Sequence, residues 1–211
     1  MSISTFAELK TAIADHMARD DLTSFLPDFI VLGETILNFG MQSAEYSIEP
    51  LRVRDMETTS TLTPTDGVVS LPSTFLQPRR VVEDTSPRRP LEYITPETVD
   101  YFYPTESSGL ADHYTIIGSS LYTYPLASND IDVHHYRTIP PLASNDPNWL
   151  LTKNPNIYLR ASLLQAYLFC KDDAEAVKQG SILKALIAGM NAADARATML
   201  GAGVYLTGPT P

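Results

Sequence analysis

The chain has 211 residues and a hydrophobic fraction of 44%, which suits one domain, or a helical body with one sizeable insertion, and needs no disulfide or metal to build a core. Its net charge of −10, from 15 Lys+Arg against 25 Asp+Glu, argues against tight nucleic-acid binding, because phosphate neutralisation supplies most of that affinity. The single cysteine, Cys170, excludes an internal disulfide and reads as a buried free thiol; the absence of a signal-peptide pattern at the start and of any apolar run near ~18 residues leads to the expectation of a soluble protein made in a cytoplasm.

In chain order, the first element is a helix. Ser4 or Thr5 caps it, and Phe6, Leu9, Ile13 and Met17 follow on one face. Arg19, Asp20 and Asp21 break the pattern. Phe25, Phe29, Leu32 and Ile36 then mark a second helix, starting near Leu26 with Pro27 in its first turn and ending at Gly40.

From about Leu51 to Leu142 the pattern is β-like. Met56–Thr63 and Gly67–Leu71, separated by Pro64, Thr65 and Asp66, read as a hairpin on an Asp-Gly turn. Arg80–Glu83 is a strand candidate. Thr95-Pro96-Glu97 opens a short helix that ends before Pro104. His113–Ile117 and Leu121–Tyr124 flank Gly118-Ser119-Ser120 as a second hairpin, and Ile131–Arg137 makes a last strand. The hexapeptide PLASND occurs at Pro125–Asp130 and again at Pro141–Asp146. Two copies are not a solenoid, and Ser-Asn-Asp is turn chemistry.

Asn154-Pro155 opens another helix, with Leu159, Leu163, Ala166 and Cys170 on one face, and Lys171-Asp172-Asp173 breaks it. A long helix from Ala174 to Leu200 follows. Leu183, Leu186, Met190, Ala193, Ala197 and Leu200 recur three and four apart, an a/d-like seam rich in small residues and a candidate subunit interface. Gly201 ends it, and the remainder, with two glycines and two prolines, reads as an extended tail. Its Val204, Tyr205 and Leu206 are candidate docking residues. The expected fold is α+β. Residues 1–50 and 147–201 form a small antiparallel helical bundle, 51–146 a β-rich insertion, and 202–211 an extended C-terminal tail.

Chemistry is scarce. The sequence holds no phosphate-binding loop, no H-E-x-x-H, no C-x-x-C and no nucleophile elbow. His134 and His135 are adjacent on a predicted strand, so they point to opposite faces and make a poor metal pair; His16 and His113 are isolated. Asp20-Asp21, Asp146 and Asp172-Asp173 sit where helix caps are needed. Arg52, Arg54, Arg79, Arg80, Arg88 and Arg89 form the basic cluster; a basic groove is the alternative, but in so acidic a chain they are expected to pair with carboxylates, within the subunit or across an interface. Tyr93, Tyr101, Phe102, Tyr103, Tyr114, Tyr122, Tyr124 and Tyr136 concentrate in the insertion, where sheet-core and interface roles both stay open. No catalytic residue, cofactor or metal is expected.

Several segments, in this order, resemble the adaptor or head-to-tail connector proteins of tailed phages and gene-transfer particles. They are TFAELKTAIADHMARDDL, LPDFIVLGETILNFG, LRVRDMET, VSLPSTFLQPRRV, RPLEYITPE, HYTIIGSSLYTYP and NWLLTKNPNIYLRASLLQAYLFCKDD, together spanning about Ser4 to Asp173. The resemblance implies a structural protein of the virion neck, assembled in the host cytoplasm as a homo-oligomeric ring, a dodecamer, beneath the portal. Its partners would be the portal protein and tail or nozzle proteins. DNA would pass through the lumen without specific binding, and the acidic charge suits such a channel. The competing readings are another neck or tail component, such as a tail terminator, and an unrelated soluble enzyme. The missing nucleophile and metal motifs weigh against the enzyme.

Overall fold

A computed structural model describes residues 3–19, 21–105 and 107–199, and shows a mixed α+β protein. The chain divides into two compact units, Met1–Asp55 with Ile139–Pro211, and Met56–Thr138. Among the described residues, no helix is long and apolar enough to cross a membrane.

The first unit is helical. Helix α1 (Phe6–Met17) starts at Thr5, whose side chain accepts the Glu8 N–H, and stops at Ala18 in the left-handed conformation. Helix α2 (Leu26–Phe39) begins with Pro27 in its first turn and ends at Gly40. Strands β1 (Met41–Gln42) and β2 (Ser47–Ile48) make a small hairpin that no expectation included.

Strands β3 (Glu57–Leu62), β4 (Val68–Ser70), β5 (Phe75–Glu83), β6 (Arg89–Tyr93), β7 (His113–Ile117), β8 (Ser120–Tyr124) and β9 (Ile131–Arg137) form the second unit, with helix α3 (Pro96–Phe102) between β6 and β7. The sheet order is β3-β9-β5-β6-β7-β8-β4. All neighbours are antiparallel except β6 and β7. The expected hairpin of 56–63 with 67–71 is not formed. The turn itself is made, with Asp66 at φ 50° and Gly67 at φ 73°, and Thr65 bridges Val68. Beyond that bridge, β3 pairs with β9 and β4 with β8. The turn therefore joins the two ends of the strand order, and the sheet curls. Two bulges in β5 break its ladder with β9, and Pro78 falls at the second, a place where a strand tolerates proline.

The curled sheet closes over Leu71, Val81, Leu91, Ala111, Tyr114, Leu121, Ala127, Ile131 and Val133. Glu83 is fully buried among these elements. Its carboxylate accepts the Ala111 N–H at 2.9 Å and the Asn129 side-chain N–H at 3.0 Å, which satisfies a group that would otherwise be costly to bury. On the outer face β3 and β9 are joined side chain to side chain. Thr59 bonds His134 at 2.8 Å, Thr61 donates to Asp132 at 2.6 Å and Thr63 to Asp130 at 2.7 Å. The alternation of Thr59, Thr61 and Thr63 places all three hydroxyls on one face.

The chain then re-enters the helical unit. Helix α4 (Trp149–Lys153), unforeseen, is capped by Asn148, whose side chain accepts the Leu151 N–H. Helices α5 (Pro155–Phe169) and α6 (Asp173–Met199) follow, separated at Lys171 in the left-handed conformation. Asp172 caps α6 by accepting the Glu175 N–H at 3.2 Å, and Asp146 accepts the Phe6 N–H at 2.8 Å at the start of α1. Both carboxylates thus act as helix caps; Asp20 lies outside the described residues. Helices α1, α2, α4 and α6 all pack on α5. Gly33 permits a close approach of α2 to α5, because a Cβ there would stand 3.2 Å from the Ala161 backbone. Cys170 is half-buried at the end of α5 rather than buried in its core.

Candidate docking surfaces

Helix α6 presents two kinds of surface. Ala176, Gln179, Leu183 and Ile187 are buried against the rest of the helical unit. Leu186 and Met190 are half-buried, and Ala193 and Ala197 are exposed. Of the seam read from the sequence, Leu183 is therefore occupied inside its own subunit. The part open to a neighbour is Leu186, Met190, Ala193 and Ala197. Asn191 and Asp194 hold the later half of the helix to the segment before β3. Asn191 accepts the Arg52 N–H at 2.9 Å and donates to the Pro50 carbonyl at 3.1 Å, and Asp194 pairs with Arg54 at 2.9 Å. Leu200, Gly201 and the tail residues Val204, Tyr205 and Leu206 lie outside the described residues.

Helix α2 buries Phe29, Ile30, Ile36 and Leu37 and leaves Val31, Leu32 and Phe39 exposed, as is Phe25 just before it. Phe25 and Phe29 each pack against Phe169 with tilted rings, at centroid distances of 5.1 and 5.4 Å. The same helix carries two buried polar residues. Glu34 accepts the Leu142 N–H at 2.7 Å and the Tyr158 hydroxyl at 3.0 Å. Asn38 accepts the Ile139 N–H at 3.0 Å. Asn148 donates to Tyr158 Oη at 2.6 Å and to the Pro140 carbonyl at 2.8 Å. Sequence reading missed this network; its one signal is Glu34 and Asn38 standing one turn apart on an apolar helix face. Burial raises the Glu34 carboxyl above its ordinary value, while the Leu142 N–H and Tyr158 hydroxyl pull it back.

The arginines are largely paired within their own units. Arg79 bonds Glu57 and lies over the Tyr136 ring, Arg88 reaches Asp84 and Asp132 at 3.3 and 3.2 Å, and Arg89 pairs with Asp112. Arg52 donates to the carbonyls of Asn38 and Leu51. Arg80 is exposed on β5. The histidines take structural places. His135 is buried and rests on Phe75, His134 bonds Thr59, and His16 bonds the Ala12 carbonyl.

The third surface surrounds His113 of β7. Phe102 stacks on its ring, Tyr103 bonds its Nδ1 at 2.7 Å, and Tyr103 stacks in turn on Tyr124. Tyr101, at the end of α3, packs edge-on against Phe102 and is 83% exposed.

Among the described residues, no group of three or more His, Cys, Asp or Glu side chains is placed to hold a metal. The family model of the SU10 adaptor proteins matches residues 4–204. The chain belongs to the SU10 adaptor protein family. This is a family of phage head-to-tail adaptors, so the resemblance seen in the order of sequence segments names the right group. The match takes in all six described α-helices, all nine described strands and the surfaces above. No curated protein matches the chain. As a member of a structural adaptor family the protein interacts with portal and tail components, and its exposed side chains are to be judged as contacts.

Proposed function

We propose that the chain is one subunit of a dodecameric ring in the virion neck, joining the portal to the tail and extending the DNA channel once packaging is complete. In this reading the helical unit is a small antiparallel bundle, the ring forms on the portal, and the tail or nozzle proteins dock next. The subunit catalyses nothing and takes no cofactor. DNA passes through the lumen without being held.

Family membership over residues 4–204 carries the reading. The exposed apolar side chains of Phe25, Leu32, Phe39 and Phe169 support it, since a lone subunit leaves them in water. Neighbouring subunits meet through Leu186, Met190, Ala193 and Ala197, one face of a subunit against a different face of the next. Val204, Tyr205 and Leu206 form the portal-docking arm, with Tyr205 as the anchor.

Electron microscopy of particles made without this protein tests the function. DNA-packed or leaking heads without tails are expected, and intact tailed particles would refute it. Truncation after Gly201 tests the arm: the shortened protein should keep its Tm and lose co-purification with portal. Retained portal binding would remove the arm from the mechanism.

A further inference from the structure

We propose that the aromatic surface around His113 is a docking site for a cationic protein segment, one that presents arginine or lysine side chains beside apolar ones. The proposal rests on the adaptor reading, and the segment belongs to a protein that the adaptor joins in the neck.

The surface is built by three elements of the sheet unit. In the β6–β7–β8 register, Glu92 stands beside His113 and His113 beside Tyr124, so one row across three strands reads carboxylate, imidazole, phenol. Helix α3 adds Phe102, which stacks on His113 with rings inclined by 14°, and the following Tyr103 fills the gap between His113 and Tyr124. Only Val99 of α3 is buried. Tyr101 and Phe102 remain 83% and 57% exposed. Their rings add little to the unit's own core. Aromatic side chains left in water at this density mark a surface meant to be covered.

Charge decides what covers it. Glu97 and Asp100 lie three residues apart on the exposed side of α3, Glu97 one turn before Tyr101. Glu92 and Asp112 are also exposed. Arg89 pairs with Asp112, and between Arg89 and Arg137 the sequence contains no lysine or arginine. Carboxylates around ring faces that are themselves electron-rich attract cations. The same rim repels phosphate, which excludes nucleic acid as the occupant. A neutral sugar would stack on the rings and gain little from the carboxylates.

The test uses the full chain and a defined probe, the peptide acetyl-Gly-Arg-Leu-Arg-Gly-Arg-amide, with a control in which glutamates replace the arginines. In NMR titrations the arginine peptide should shift signals of Tyr101, Phe102 and His113, and bind more weakly as salt rises. The variants Tyr101→Ala with Phe102→Ala, and Glu97→Lys with Asp100→Lys, should each weaken binding about tenfold or more without lowering Tm, because the side chains are exposed. Equal response to both peptides, or shifts mapping elsewhere, would overturn the proposal. So would self-association of the chain abolished by Tyr101→Ala, which would make a second copy the occupant. In particles, the Glu97→Lys, Asp100→Lys protein should lower the yield of joined heads and tails at least about tenfold. Normal joining with the variant present in the neck would remove the platform and leave the adaptor reading standing. Absence of the wild-type protein from the neck would instead defeat that reading itself.

Discussion

The replacement Tyr158→Phe tests whether the buried polar network holds the returning chain to the helices. Tyr158 is fully buried on α5, and its hydroxyl donates to Glu34 at 3.0 Å while accepting from Asn148 at 2.6 Å. Removing the oxygen leaves one Asn148 N–H without its acceptor and takes one donor from the Glu34 carboxylate. A buried unsatisfied donor costs roughly 1–3 kcal/mol and a hydrogen bond to a charged group is of similar size, so the loss should be about 2–3 kcal/mol near neutral pH. The pH dependence has a definite sign. Burial places the folded Glu34 above its ordinary 4.5, so the folded state holds this proton more tightly than the unfolded one. Its contribution to stability is full below that value and is lost as pH rises through the folded one. The Tyr158 hydroxyl opposes that shift, so its removal raises Glu34 further, and the penalty of the substitution should shrink on going from pH 7.5 to pH 4.5. The chain's single tryptophan, Trp149, lies beside Asn148 in α4, so urea unfolding followed by its fluorescence reports on this unit directly. A penalty under about 0.5 kcal/mol, the level of an ordinary surface change, or one that does not vary with pH, would refute the argument.

Gly67→Ala should cost about 3 kcal/mol, because φ is 73° and the new Cβ would stand 2.7 Å from a Leu126 side-chain atom and 2.9 Å from its Cα. Gly118→Ala, at φ 60° with nothing within 4 Å, should cost only about 1 kcal/mol, and equal Tm changes for the two would contradict the packing argument. Ala193→Glu places a charge on an exposed position of α6, so the isolated protein should melt within about 0.5 kcal/mol of wild type while incorporation into necks falls; wild-type incorporation would exclude this face from the ring contact. Duplex DNA should bind the purified protein more weakly than about 1 μM at physiological salt, and a gel shift showing tighter, steeply salt-dependent binding would contradict the open-channel reading.

Local signals in this sequence are strong wherever one element suffices to explain them. Thr5, Pro27 and Gly40 mark helix ends because capping is settled within a single turn. Strand β9 was legible residue for residue, and Asp66-Gly67 does make its turn. Which strands that turn would pair was not legible. The alternation of Thr59, Thr61 and Thr63 assigns a face, but β-pairing is long-range, and β3 finds Ile131–Tyr136 rather than the three residues of β4 just beyond the turn. Strand β6 was not foreseen, since Pro90 interrupts any strand pattern there, although its pairing with β7 is what brings Glu92 beside His113. The adaptor family was legible from many weak segments in order, whereas the docking surfaces within it were not, since exposed aromatics and core aromatics look alike in sequence.

Helix α6 shows why spacing alone could not separate a core face from an interface. Its three-and-four repeat begins at Leu183, yet Leu183 is buried while Ala193 and Ala197 are exposed. At a rise of ~1.5 Å per residue, the 27 residues of α6 extend well beyond what the 15 residues of its partner α5 can cover. Leu183 is consumed by the subunit's own core, and Leu186 and Met190 only in part. The later residues outrun it, tied at Met190, which accepts from the Asn154 side chain, and along the edge where Asn191 and Asp194 reach the chain at Pro50, Arg52 and Arg54. In the ring proposed above, a neighbour completes the packing that α5 is too short to provide. The small side chains at Ala193 and Ala197 then matter because they allow a second helix to come close, and this is why a single glutamate there should act on assembly and not on the fold.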